Sequence, residues 1–198
     1  MGCKRILFSS DYLPALTQPN VELVTEEITN ITREGIATAD GSEHPADVII
    51  WGTGFRGTEF LAPMQVTGID GRDLHKQWSN GARAYYGMTV PHFPNLLIMY
   101  GPNTNTGSGS IIYFLEDQAR YLRRYIDHLV ASAAPITVRP EVAARFDNRI
   151  QAELSASVWS RCSSWYRDPN GRITNWPRLG IQYHRQARFD ATDYEVMT

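Results

Sequence analysis

The chain has 198 residues, 42% of them hydrophobic, and a formal net charge of −2. That length holds one domain or two small ones with a core, and the interspersed charges exclude a basic nucleic-acid stripe and an acidic disordered tail. No apolar run approaches the roughly 20 residues that span a membrane, and no signal-peptide core opens the chain.

The first fifty residues read as β-rich. Arg5–Ser9, Val21–Val24, Ile28–Thr32, Gly35–Ala39 and Asp47–Trp51 are predicted strands, with turns at Arg33–Gly35 and Asp40–Ser42. The middle pair reads as a hairpin. Asp47–Trp51 is a continuous apolar run, the pattern of a strand covered on both faces. Gly52–Gly57 then satisfies Gly-x-Gly-x-x-Gly. That fingerprint should open a full helix and be followed by a strand ending in an acidic residue. Pro63 interrupts it and no such strand follows, so a tight crossover loop that could still brush a cofactor is expected.

Residues 60–94 are irregular, with a short strand expected at Gln65–Thr67, an Asp70-Gly71 turn and a helical turn at Leu74–Trp78. Trp78, Tyr85, Tyr86 and Phe93 read as packing residues. Leu96–Tyr100 is long enough for one buried strand. Gly101-Pro102 ends it, and Asn103–Ser110 is a small polar loop before a helix predicted from Ile111 to about Ala131. A strand, a small-residue loop and a helix N-terminus let backbone N–H groups approach an anionic or electron-rich ligand. The pattern is neither a P-loop nor a nucleophile elbow, and a plain glycine-rich connection stays open beside the ligand reading.

The helix carries an apolar stripe at Ile111, Leu115, Leu122, Ile126 and Leu129. Glu116 and Arg120 are spaced to pair. Arg120, Arg123 and Arg124 read as a solvated face in the half where the helix dipole favours cations. Pro140 suits the first position of a second helix, to about Trp159, with Val142, Phe146, Ile150 and Leu154 on one side. Trp159, Trp165, Tyr166 and Trp176 form either local core or the wall of an apolar pocket.

Catalytic groups do not assemble: Asp47, Asp70, Asp73 and Glu116 are scattered, and the five histidines show no ligand spacing, so no metal site is expected. Cys3 and Cys162 lack a Cys-x-x-Cys pairing, which fits free thiols in a reducing, cytoplasmic setting.

Several runs together resemble the C-terminal part of class B flavoprotein monooxygenases, the group of Baeyer–Villiger and flavin-containing monooxygenases, nearest the 4-hydroxyacetophenone-monooxygenase-like branch. Asp47–Phe55 resembles their Asp-hydrophobic-Ala-Thr-Gly-Phe/Tyr segment. Phe93-Pro-Asn-Leu followed by Gly101-Pro-Asn-Thr resembles a second, and the pair is specific. Gly2–Tyr12, Ser164-Trp-Tyr and Trp176-Pro extend the resemblance over nearly the whole chain. Gly52 replaces a usual alanine, and Ser108 stands where the branch commonly has histidine.

The resemblance implies an α/β architecture: an incomplete doubly wound, Rossmann-like FAD- and NADPH-binding fold with a helical C-terminal extension. Residues 1–51 would end the NADPH domain, 52–134 complete the FAD domain, and 135–198 form the aromatic-rich extension. Gly52, Thr53, Gly54, Gly101, Pro102, Asn103, Thr104 and Ser110 would contact cofactor. Both glycine fingerprints, the family's arginine and its Baeyer–Villiger signature lie upstream in the family, so no catalytic residue is assigned here. FAD and NADPH would bind only with the N-terminal half, supplied by a partner chain or a longer product, and a homo-oligomer is also open. The implied activity is insertion of one oxygen atom from O2 into a small apolar ketone, or oxidation of a soft heteroatom. The alternative is a non-catalytic remnant acting as an interaction module.

Overall fold

In the computed structural model, which describes residues 7–107 and 109–197, the chain divides into two compact units at residues 55 and 56.

The smaller unit opens with a short helix, α1 (Tyr12–Leu16), and is built on an antiparallel meander of β1 (Ile28–Ile31), β2 (Gly35–Thr38) and β3 (Glu43–Pro45). The β1–β2 turn closes because the Thr32 hydroxyl accepts the Gly35 N–H at 3.1 Å while the Thr32 N–H reaches the Gly35 carbonyl at 2.8 Å. Gly35 is required: a Cβ there would lie 2.1 Å from the His44 carbonyl oxygen on β3. The next turn is stapled by Asp40, which accepts from the Thr38 hydroxyl at 2.6 Å and the Ser42 N–H at 3.1 Å. Those bonds favour the carboxylate and lower its pKa to about 2.

Three expected strands of this unit do not form. Residues 7–9 and 21–24 pair with nothing in a ladder, while Arg5 and Ile6 lie outside the described residues. Asp47–Trp51, expected to be buried, is unpaired and open, with Ile50 90% and Trp51 68% exposed. A strand covered on both faces exists only between sheet neighbours, and none is present among the described residues.

The larger unit is helical and aromatic. α2 (Leu74–Gln77) is capped by Asp73, whose carboxylate accepts from the Lys76 N–H at 2.8 Å. α3 (Ile111–Ser132) starts at Ser110, whose hydroxyl accepts the Ile112 N–H at 3.2 Å, and ends at Ala133 in the left-handed region. β4 (Ile136–Val138) is wholly buried and pairs antiparallel with β5 (Tyr194–Val196). α4 (Pro140–Ser155) buries Val142, Phe146, Ile150 and Leu154, the predicted stripe. α5 (Gly180–Gln186) lies against α3.

One core gathers Phe114, Tyr121 and Tyr125 of α3, the α4 stripe, Trp159, Trp176, Tyr183 and Tyr194; a smaller one holds Leu74, Trp78, Val90, Phe93 and Ile98. Trp159 and Trp176 are therefore core, whereas Trp165 is half exposed. Leu96–Tyr100 is not a strand: Asn95 and Tyr100 adopt left-handed dihedrals and break the extension. Gln65–Thr67 contributes only a bridge from Thr67 to Asp73. The fold is thus mixed helix and sheet. Both sheets are antiparallel, and the described residues hold no parallel ladder. Cys162 is disulfide-bonded rather than a free thiol, which removes that argument for a reducing compartment; Cys3 lies outside the described residues. Spacing in sequence does not govern disulfides, which need only spatial closeness.

Candidate functional site

The loop before α3 is held from below and from both sides. Below it lies the turn at Gly87, in the left-handed region. A Cβ on Gly101 would stand 2.2 Å from the Gly87 carbonyl oxygen, and one on Gly87 would stand 2.2 Å from the Thr104 methyl. Thr104, fully buried, donates its hydroxyl to the Gly101 carbonyl at 2.7 Å. At the far end Gly107 packs on Trp159, whose ring would be 2.6 Å from a Cβ.

Beside the loop runs residues 173–176. The Asn103 N–H donates to the Thr174 carbonyl at 2.9 Å, and its side-chain amide donates to the carbonyls of Ile173 at 3.0 Å and Asn175 at 2.9 Å. The Trp176 N–H returns to the Asn105 carbonyl at 2.7 Å. A single parallel bridge links Asn105 and Asn175. Arg172 anchors this arrangement. Its side chain is nearly buried, forms a bidentate pair with Asp147 of α4, donates to the Ala82 carbonyl at 3.1 Å and reaches the Asn103 side-chain oxygen Oδ1 at 3.4 Å.

A second relay runs through α3. Gln118, fully buried, accepts the Tyr100 N–H at 2.9 Å and donates to the Tyr183 hydroxyl at 3.1 Å, which donates to the Tyr86 carbonyl at 2.7 Å. Tyr100 in turn donates to the Asn105 side-chain oxygen at 2.8 Å. Burial raises the Tyr183 pKa, so this phenol stays protonated and keeps its donor.

Of the predicted cofactor residues, Gly101, Pro102, Asn103 and Thr104 are buried inside this scaffold. Ser110 is exposed at the start of α3. Gly52, Thr53 and Gly54 lie in the other unit, exposed, with nothing within 4 Å of a Cβ on either glycine. Sequence reasoning missed Arg172, Asp147, Gln118 and the 173–175 run; the Asn-Thr-Asn-Thr and Ile-Thr-Asn runs at 103–106 and 173–175 were the available signal. One feature remains open to a ligand: the N-terminus of α3, with no acidic residue in its first turn and free space around Gly109. Deeper in the scaffold, Asn105 Nδ2 and both side-chain polar atoms of Asn175 are buried without partners among the described residues. Among the described residues no cluster of His, Cys, Asp or Glu could hold a metal, and no helix is long and apolar enough to cross a membrane.

No protein-family model matches the chain. Individual proteins do. It is 43% identical over 195 residues to the FAD-binding monooxygenase ktnD of Aspergillus niger, covering 94% of this chain and 32% of that protein. It is 37% identical to a Baeyer–Villiger monooxygenase of Streptomyces coelicolor and 39% to one of Pseudomonas aeruginosa, covering all of this chain and 39% of each. Its fold superposes on OTEMO in complex with FAD and NADP with a TM-score of 0.88 at 25% identity, over 98% of this chain and 38% of that one. The chain belongs to the class B flavoprotein monooxygenases. It corresponds to their C-terminal part and spans about a third to two-fifths of the length of these relatives. A steroid monooxygenase bound to NADP superposes with a TM-score of 0.82 at 27% identity. In this monooxygenase segment, Gly101–Thr104 carry the family run as the buried start of the loop, and Gly109 and Ser110 at its end are exposed at the α3 N-terminus.

Proposed function

We propose that the chain is the C-terminal portion of an FAD- and NADPH-dependent monooxygenase that transfers one oxygen atom from O2 to a small apolar ketone or a soft heteroatom. The observation that carries this is a match over 94 to 100% of the chain to proteins named Baeyer–Villiger or FAD-binding monooxygenases. The residues fit the cofactor. An electron-rich ring edge suits the positive end of a 22-residue helix whose first turn holds no carboxylate. When bound, FAD supplies the redox chemistry. Gly109, Ser110 and the first α3 N–H groups would face the ring, and Gly101–Thr104 would hold that wall rigid. The Gly52–Gly54 loop would be a second contact.

The finer architecture follows from the same reading. Asp47–Trp51 and Leu96–Tyr100 would become strands of doubly wound sheets once upstream strands lie beside them. Residues 1–51 would then close the NADPH domain, 52–134 the FAD domain, and 135–198 the extension. The break between compact units at residues 55 and 56 supports the first of these boundaries. The upstream portion is the partner this site requires.

A chimera tests the reading: this chain replaces the matched 39% of the Pseudomonas aeruginosa relative. A yellow protein with ketone-dependent NADPH oxidation is expected. A chimera that folds cooperatively but stays colourless overturns the flavin reading and leaves an interaction module. The 198-residue chain alone is expected to be colourless and to oxidise no NADPH, because it contains neither dinucleotide phosphate cradle.

A further inference from the structure

Away from the loop, α3 and the segment leaving α5 enclose a cavity of about 420 Å³ that the flavin reading does not use. Arg120, Arg123 and Arg124 of α3 and Arg188 of the segment after α5 line it; among the described residues Asp117 is the one carboxylate in its lining. Asp117 is 3% exposed and orders the floor, accepting from the Arg120 guanidinium and, at 2.7 Å, from His184 Nδ1. Arg123 has only a 3.9 Å contact with exposed Asp127. Arg124 and Arg188 have no ion-pair partner among the described residues.

The helix dipole does not explain these charges. Its field fades within the last turn, and residues 120–124 lie more than a turn before Ser132. A solvated face does not explain them either. Like charges on such a face repel, yet here a fourth arginine, from another element, lines the same cavity as the three. Guanidinium groups in that arrangement match a phosphate oxygen set. The cavity is of the size that takes a small organic ligand, well beyond a bare phosphate. Phe189 supplies an apolar wall; it is held by Tyr121 at 5.6 Å and Tyr194 at 5.3 Å between ring centroids.

We propose that this cleft binds an organic phosphate monoester, its phosphate between Arg124 and Arg188 and its body against Phe189. The inference stands apart from the flavin site and does not depend on it.

Calorimetric titration of the 198-residue chain with phenyl phosphate, inorganic phosphate and phenol tests it. Phenyl phosphate is expected to saturate a single site about tenfold more tightly than inorganic phosphate, with no heat from phenol. Arg124→Gln and Arg188→Gln should each weaken it about tenfold, the scale of one lost charged hydrogen bond. Both side chains are exposed, so the variants keep the fold, which unchanged melting without ligand verifies. Arg145→Gln, an exposed α4 position outside the cleft, should stay within twofold. Absence of saturation at millimolar phenyl phosphate overturns the proposal. So does equal weakening by Arg145→Gln, which marks nonspecific attraction. Polyglutamate binding that phenyl phosphate cannot displace also overturns it, and marks an acidic protein surface.

Discussion

Asp147 sits on α4, yet through Arg172 it decides where Asn103 points. The guanidinium fork is bonded on one edge to the carboxylate and on the other to the Asn103 side chain and the Ala82 carbonyl. Removing one member of such a pair leaves an uncompensated charge, which costs about 3–5 kcal/mol. Asp147→Ala should therefore lose about 3 kcal/mol or more in urea unfolding, and Arg172→Lys should rescue little, since an ammonium lacks the planar fork. A loss under about 1 kcal/mol would show that the loop is held by its backbone bonds alone. The tyrosines act at the same scale. Tyr121 and Tyr194 share a 2.7 Å hydroxyl contact, Thr89 meets Tyr194 at 3.0 Å, and Tyr85 donates to Asp193 at 2.8 Å. Burial is the main cause that raises each of their pKa values, and it raises Tyr125 to about 12 from 10.0. Above pH 10 the unfolded chain releases these protons while the folded chain keeps them, so the folded state binds more and stability falls as pH rises. Urea midpoints should hold steady from pH 8 to about 9.5 and decline from pH 10 upward. The native chain should show little tyrosinate absorbance from these phenols until it unfolds.

The two long helices show how far a hydropathy pattern carries. α4 was legible because its buried positions are purely apolar: Val142, Phe146, Ile150 and Leu154 recur every fourth residue. α3 was legible in extent but not in facing. Its inward side holds Phe114, Gln118, Tyr121, Leu122 and Tyr125, while the predicted stripe residue Ile126 is 46% exposed. Polar atoms reach that core because each finds a partner elsewhere: Gln118 at Tyr183, Tyr121 at Tyr194, and Tyr125 at the Ile136 carbonyl at 3.0 Å. No single-sequence pattern contains those partners. The candidate loop was found by its small residues, but its anchors were not, because Arg172 and Asp147 are distant in sequence and ordinary in local context. The unformed strand at 47–51 failed for the same reason, since strands are defined by neighbours, whereas 96–100 is broken by the left-handed dihedrals of Asn95 and Tyr100. Facing is open to measurement. Ile150→Ala should cost about 2–5 kcal/mol as a buried truncation, and Ile126→Ala should stay within about 0.5 kcal/mol as a surface change. A large loss at Ile126 would restore the predicted stripe.

At the scale of the molecule, the chain spans only a third to two-fifths of its relatives, and it exposes apolar surface in strand-like segments. Val48, Ile50 and Trp51 stand open although their run has the composition of a covered strand. Scattered exposed apolar residues need no explanation, but a contiguous run does. If the missing cover is a sheet supplied by the upstream portion, Trp51 reports it. Of the five tryptophans, Trp78, Trp159 and Trp176 are buried, so Trp51 and Trp165 carry the accessible fluorescence. In the isolated chain, iodide should quench a component that Trp51→Phe removes. In the chimera with the upstream part of the Pseudomonas aeruginosa relative, a single-tryptophan version retaining Trp51 should resist iodide and emit further to the blue, as a ring between two strands must. Continued quenching in a folded, flavin-bearing chimera would mean that residues 47–51 stay outside the completed sheet, and the boundary proposed at residue 51 would have to move.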